Sequence, residues 1–499
     1  MARITAENAG FFAVISYNNV MSKDLIIGRE YEMQLLRECR ESKESQLVLV
    51  YGRRRVGKSF LINQFFDNRF DFKLVGDNHL SKDEQLFNFC DELRRQWKRD
   101  ITVPKTWREA FFLLRDYLDE FTDDGKHIVF FDEMPWLDNQ KSGFLEAFEY
   151  FWNSFGAAKN NLMLIVCGSA SAWLVDNFEH NRGGLFNRQN CRIFLEPFNL
   201  YETERFLKEK KGINWSRYDI AQCYMILGGI PYYLDRLSRN LPPDGNIDNL
   251  FFRKRGVLWD EFDNLYRTLF SSSGNYIRIV EALFTKRSGM NRKELIAATG
   301  LSDNSAFTDM LRNLSDSGFI RSYSVFGNRK RGTVYQLADY YTMFYLKFVK
   351  DGYGSDEEFW SHHLDSPSRR AWAGLTFEML CKDHIRQIKS RLSISGVSSA
   401  VSVWSTAATE EHEGAQIDML IDRRDRIIDI CEMKFSENTF TIDRDYDEAL
   451  RRKIDVFRET TGTNKALQLV MVTTYGVKQN MYSSRIQSEV VLNDLFGKD

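Results

Sequence analysis

The sequence predicts a multidomain α/β chain, and three observations carry that prediction. An apolar run, Leu47 to Val50, feeds into a glycine-bounded loop and then a helix; a second apolar run ends in the carboxylates Asp132 and Glu133; and a three-helix, two-strand pattern of a different kind begins near Tyr276. The chain has 499 residues, enough for three or four domains that each bury a core.

Bulk properties exclude some functions. With 68 basic and 70 acidic residues the net charge is −2, so no global field draws the chain to nucleic acid or an anionic membrane, and any such contact needs a local patch. The seven cysteines are scattered, odd in number and without a C-x-x-C pair, which predicts reduced thiols and a cytoplasmic protein. No apolar run approaches the ~20 residues that span a bilayer, so no membrane partner is expected. Met1 to Asn19 has a single basic residue and no long apolar core, unlike a secretion signal, and Met21 is an alternative start that would leave a disordered leader.

The first motif is Gly52-Arg53-Arg54-Arg55-Val56-Gly57-Lys58-Ser59, flanked by the predicted strand and by a helix opening at Phe60. Gly52 and Gly57 let the backbone curl so that successive N–H groups face phosphate oxygens, Lys58 reaches the β- and γ-phosphates, and Ser59 offers a hydroxyl to Mg²⁺. The helix N-terminus adds partial positive charge. About 75 residues on, Lys126 to Asp132 reads as a strand that carries metal chemistry at its end, at a separation a core α/β nucleotide fold allows. Asp132 would hold Mg²⁺ through water, and Glu133 would polarise the water that attacks the γ-phosphate. The two motifs together predict an ATP site.

Upstream, Lys23 to Glu41 becomes an amphipathic helix after Asp24 to Gly28; Ile26, Ile27 and Gly28 suit an adenine pocket, and packing of the helix on the sheet is compatible with that. Downstream, a strand is expected at Phe70 to Val75, helices at Ser81 to Arg99, Trp107 to Phe121 and Phe144 to Phe155, and a buried strand at Asn161 to Cys167. Ser169, just after that strand, would sit beside the γ-phosphate or else cap a helix. A glycine-broken loop, Asn181 to Arg188, precedes the strand Cys191 to Leu195, and Arg188, with Arg182 in reserve, is placed as an arginine finger would be. Leu200 to Arg239 reads as helical around Gly228-Gly229-Ile230-Pro231, where Pro231 makes a rigid helix entry suited to a lid over the base.

Tyr276 to Leu337 predicts a winged helix-turn-helix, with helices at Tyr276–Thr285 and Asn291–Thr299, a third from a Ser302/Asp303 cap to Ser317, and strands at Phe319–Val325 and Thr333–Leu337. Gly318 to Gly332 holds four basic residues and no acidic one, which fits DNA phosphates, whereas the third helix sets Asp303, Asp309 and Asp316 against Arg312. Reading DNA and packing between domains both remain open. In the final third, Glu378 lies in a helical run, and Gln416 to Ile421 and Ile427 to Lys434 form a strand pair. Alternation puts Glu432 and Lys434 on one face. Asp418 and Glu432 could hold a metal, with Lys434 and Glu378 beside it, to hydrolyse a phosphodiester; the alternative is a solvated, salt-bridged hairpin.

With these motifs in order, the chain resembles the archaeal-type ATPase family, a branch of AAA-type ATPases close to origin-recognition and STAND nucleotide switches. The resemblance runs from Asp24 to about Leu234 through Ile27-Gly28-Arg29-Glu30, Gly52 to Ser59, Phe131-Asp132-Glu133, Gly168 to Ser171, Leu185 to Arg188 and Gly229-Ile230-Pro231. The family often carries tyrosine-glycine before that arginine, where this chain has Phe186-Asn187. The resemblance implies an ATPase core with helical lid, a winged helix and a C-terminal restriction-endonuclease-like domain of PD-(D/E)xK type, which Glu378, Asp418, Glu432 and Lys434 look like. The expected division is 1–22 leader, 23–199 core, 200–268 lid, 269–345 winged helix and 346–499 endonuclease-like domain. The expected function is a nucleotide-gated enzyme acting on DNA as a homo-oligomer, or a STAND-like signalling switch with a non-catalytic C-terminal scaffold.

Overall fold

The computed structural model describes residues 26–139, 142–169, 171–180, 183–254, 256–270, 272–324, 326–327, 333–352, 356–409 and 413–498, and the chain forms two compact units, Met1–Pro197 and Phe198–Asp499. The first unit is a five-stranded parallel sheet in the order β2-β3-β4-β1-β5, where β1 is Gln46–Tyr51, β2 Phe72–Val75, β3 His127–Asp132, β4 Leu162–Cys167 and β5 Cys191–Phe194. Strands buried on both faces need near-continuous apolar runs, which QLVLVY, HIVFFD and LMLIVC supply. Helix α1 (Glu30–Glu41) precedes the sheet, and α2 (Lys58–Phe65), α3 (Lys82–Trp97), α4 (Trp107–Asp119) and α5 (Phe144–Ser154) lie in the connections from β1 to β4. A capping box, Ser81 with Glu84, starts α3. The core is aromatic: Phe111 touches Phe89, Trp107, Phe131, Phe144, Phe148 and Phe151 at centroid separations of 5.2 to 6.4 Å.

The second unit begins with α6 (Leu200–Arg205), extended by a π-turn at Phe206–Lys210, then α7 (Arg217–Leu227) and α8 (Pro231–Leu234). The predicted helical stretch from Leu200 is therefore broken. At Gly229 a side chain would collide with the Phe198 carbonyl, and the two residues are joined by Phe198 N–H to Gly229 O at 2.7 Å. Helix α9 (Ser273–Thr285), strand β6 (Met290–Asn291), α10 (Arg292–Thr299), α11 (Ser305–Asp316), β7 (Ile320–Ser324) and β8 (Thr333–Leu337) follow, with the strands in one sheet, β6-β8-β7. The cap of α11 is Asn304 rather than Ser302 or Asp303, because the Arg292 guanidinium takes the Asp303 carboxylate at 2.6 Å.

The last region pairs α12 (Pro367–Asp383) with a five-stranded mixed sheet, β13-β12-β11-β10-β9, where β9 is Ser399–Thr406, β10 Ala415–Arg423, β11 Ile427–Lys434, β12 Ala466–Thr473 and β13 Ser488–Val491. β10 and β11 form the expected antiparallel pair, with Met419 opposite Cys431. Helix α13 (Arg444–Thr461) crosses between β11 and the parallel β12.

Candidate nucleotide site

The order β3-β4-β1 brings three carboxyl-terminal strand ends side by side, where a parallel α/β sheet places its ligand. The loop after β1 is left-handed at Gly52 (φ 136°), Arg55 (φ 73°) and Gly57 (φ 93°). A side chain on Gly52 would also collide with the Leu195 carbonyl oxygen, so the loop is built onto the end of β5. Lys58 opens α2, is 5% exposed, and donates from Nζ to the carbonyls of Gly52 at 2.9 Å and Arg53 at 3.0 Å. Burial holds its pKa below the usual lysine range, which Cys167, Glu133 and Asp132 partly counter. Arg53 and Val56 are buried, Arg54 and Arg55 half-buried, and Phe60 is 41% exposed.

Asp132 ends β3 and its Oδ1 accepts from Ser59 Oγ at 2.8 Å and from the Glu133 N–H at 3.1 Å. Burial pushes the Asp132 carboxyl up and the Ser59 hydroxyl opposes it. Glu133 itself is left-handed (φ 48°), and its Oε2 accepts from both the N–H (3.0 Å) and the hydroxyl (2.9 Å) of Ser169. Directly after it, Met134–Trp136 forms one tight turn, with the Trp136 N–H on the Glu133 carbonyl at 3.0 Å and the Trp136 carbonyl held by Gln85 at 2.8 Å. Ile27 and Gly28 are buried just before α1, where Arg29 reaches the Val56 carbonyl at 3.4 Å. Ser59, Asp132, Glu133 and Ser169 thus form one hydrogen-bonded cluster, with Lys58 near enough for the Glu133 and Asp132 charges to act on it. Arg188 is exposed in the turn before β5, Arg182 lies outside the described residues, and Pro231 opens α8 in the second unit.

In the C-terminal sheet, Glu432 and Lys434 share a face as expected, 3.1 Å apart. The other Glu432 oxygen is taken by Lys453 at 2.6 Å, and Tyr446 donates to Oε1 at 2.9 Å. Burial alone would raise Glu432, but the Lys453 and Lys434 ammonium groups bring it below the usual carboxylate range. Asp418 accepts from Gln416 at 2.5 Å. Glu378 on α12 is pushed up to about 7, first by burial and then by Asp418. Lys453 and Tyr446 lie on α13, beyond any local pattern centred on Glu432, and sequence reading missed both. Arg329, Lys330 and Arg331 of the expected wing lie outside the described residues.

An uncharacterized protein of Methanocaldococcus jannaschii, MJECL04, is 22% identical over 450 residues, covering 87% of this chain and 92% of its own. An uncharacterized ATP-binding protein of the same organism, MJ0423, is 36% identical over 45 residues, 9% of this chain and 76% of its own. Among solved structures, the Walker-type ATPase PABY2304 of Pyrococcus abyssi aligns with TM-score 0.47 and 21% identity, over 65% of this chain and 96% of that one. The Aeropyrum pernix ORC2 protein aligns with TM-score 0.41 and 11% identity, over 64% and 93%. Residues 26–237, which hold the whole polar cluster, match the ATPase domain predominantly from Archaea, and the chain belongs to that family of ATP-binding, ATP-hydrolysing P-loop proteins.

Proposed function

We propose that the chain is a nucleotide-gated protein acting on DNA, with ATP turned over at the cluster around Lys58 and Glu133. The observation that carries this reading is the contact between Ser59 Oγ and Asp132 Oδ1 at 2.8 Å, which sets the two oxygen donors of a Mg²⁺–nucleotide site side by side. When bound, Mg²⁺ supplies charge neutralisation for the β- and γ-phosphates. Ser59 and Asp132 would hold it, Lys58 would leave the loop carbonyls for phosphate, and the loop backbone from Gly52 to Ser59 would bind the rest. Glu133 takes a proton from the attacking water, Ser169 orients the Glu133 carboxylate, and Arg188 serves a neighbouring copy as its finger.

The DNA part of the proposal rests on residues 273–337, whose three helices and antiparallel β7–β8 pair support a winged helix-turn-helix. Its third helix is poorly suited to bases, since Arg312 is bound to Asp309 at 3.0 Å. Packing is an additional role for the wing: the Phe326 N–H donates to Val403 O at 3.1 Å and its ring lies 5.2 Å from Phe457.

The C-terminal domain has two readings. In one it is a Mg²⁺-dependent phosphodiesterase, with Asp418, Glu432 and Glu378 on the metal and Lys434 steadying developing charge. In the other it binds without cutting. The Lys453 ammonium on Glu432 favours the second, because the carboxylate that should meet a metal already has its cation. ATPase activity measured with and without single- and double-stranded DNA tests the whole proposal. Stimulation or repression by DNA is expected, and identical rates would leave the signalling switch.

A further inference from the structure

A cleft of about 440 Å³ in the second unit adjoins a second of about 380 Å³, the two sharing Thr285, Arg287, Gln336 and Leu375 in their walls. Lys286, Arg287 and Ser288 line the larger one from the exposed turn between α9 and β6, together with Lys382 of α12. That turn is fixed, with the Gly289 N–H on Lys286 O at 2.9 Å and Gln336 Nε2 on Arg287 O at 2.6 Å. Lys286 is paired with Glu294 at 2.6 Å yet stays 45% exposed, able to share a second anion. The smaller cleft adds Lys347 and an apolar lining that includes Leu283, Met343 and Trp372.

From these features we propose that the joined clefts hold a single strand of DNA, its phosphates on Lys286, Arg287 and Lys382 and a base against the apolar part. The inference rests on the DNA-acting reading and adds where the strand lies, away from the acidic third helix. Size selects the strand form: volumes of this order lie in the small-ligand range of about 300–1,000 Å³, room for one or two nucleotides and none for a duplex. Charge agrees. Glu378 and Asp418 face the same cleft, but Lys382 stands among them and Lys286 and Arg287 line its open side, three basic groups against two carboxylates. Stacking plus a basic track is the general mode of single-strand binding.

The test is fluorescence anisotropy of a labelled twelve-nucleotide oligothymidylate with the full chain. The wild type should bind it at least tenfold more tightly than a duplex of equal length. Lys286→Glu with Arg287→Glu should weaken binding at least tenfold and lower the salt slope by about 1.4, at about 0.7 per phosphate contact. An unchanged affinity and slope in a variant with wild-type thermal midpoint would overturn the groove while leaving DNA action standing. No binding of any DNA by the wild type would remove both. Photo-crosslinking wild-type chain to oligonucleotide carrying 4-thiothymidine gives an independent check. Crosslinks should map to the peptides containing Arg287, Trp372 or Lys382, and crosslinks confined to other peptides overturn the proposal.

Discussion

At Lys58 the ammonium sits on two loop carbonyls, in a seat of backbone oxygens that phosphate oxygens would replace with better charge complementarity. Lys58→Ala should therefore abolish ATP binding in a protein that still folds, read by equilibrium dialysis; normal affinity would take Lys58 out of the site. Glu133→Gln keeps shape and most hydrogen bonding but removes the base, so ATP should bind while turnover drops about 10²-fold or more, the usual size of a general-base contribution. Glu378 makes a prediction in pH. Its folded pKa of about 7 lies above the ordinary 4.5, so the native state holds a proton across that window that the unfolded state has lost. The contribution of Glu378 to stability is thus full below about pH 4.5 and is lost as pH rises to about 7. Glu378→Gln should flatten that fall in thermal midpoint; the same slope in the variant would assign it to another group. Lys453→Ala takes one of two ammonium groups from the buried Glu432 and leaves Lys434 as its remaining cation, at a cost of about 1–3 kcal/mol, which urea unfolding would read.

Among the elements, the loop after β1 depends on a backbone shape that L side chains resist. Gly52→Ala adds a methyl at φ 136° against the Leu195 carbonyl, so the loop must move and ATP binding should weaken sharply. Retained affinity would mean β5 yields instead. This loop and β3 were legible in the sequence because their chemistry is local: eight consecutive residues for one, an apolar run with two acids for the other. The strand pair β10–β11 was legible for the same reason. Helix α13 and strands β9 and β13 were not, and with α13 went Lys453, which meets Glu432 across 21 positions and has no spacing to announce it. The same applies to Arg321, whose guanidinium meets Asp383 at 2.5 Å, with the Tyr340 hydroxyl on the other carboxylate oxygen. Only the fold brings these residues together. The cap of α11 was misplaced for a smaller reason, since three cap-forming residues stand in a row and the competing Arg292 is distant in sequence.

For the molecule as a whole, the open question is whether one chain completes its own ATP site. Arg188 is exposed in the turn before β5, with its N–H on Leu185 O at 3.1 Å. If it serves a neighbour, an Arg188→Ala protein mixed with a Lys58→Ala protein should recover part of the ATPase rate, because mixed assemblies pair an intact loop with an intact arginine. Absence of recovery in mixtures that still assemble would take Arg188 out of the neighbour's site, and a chain that never assembles would leave the monomeric switch. Among the described residues no helix is long and apolar enough to cross a membrane. The separation into two compact units also predicts that substitutions at Glu378 or Lys453 leave nucleotide affinity in the first unit unchanged.

The turn that follows Glu133 has a use in spectroscopy. The Trp136 backbone is tied to the Glu133 carbonyl through its own amide N–H and to α3 through Gln85, so a change in the Glu133 backbone is expected to move the residue that carries the indole. The other nine of the ten tryptophans would mask this in ordinary emission. Uniform 5-fluorotryptophan labelling, with a Trp136→Phe control to assign the line, turns that residue into a ¹⁹F probe. Its chemical shift on adding nucleotide reports directly whether the acid beside Ser169 rearranges or stays in place.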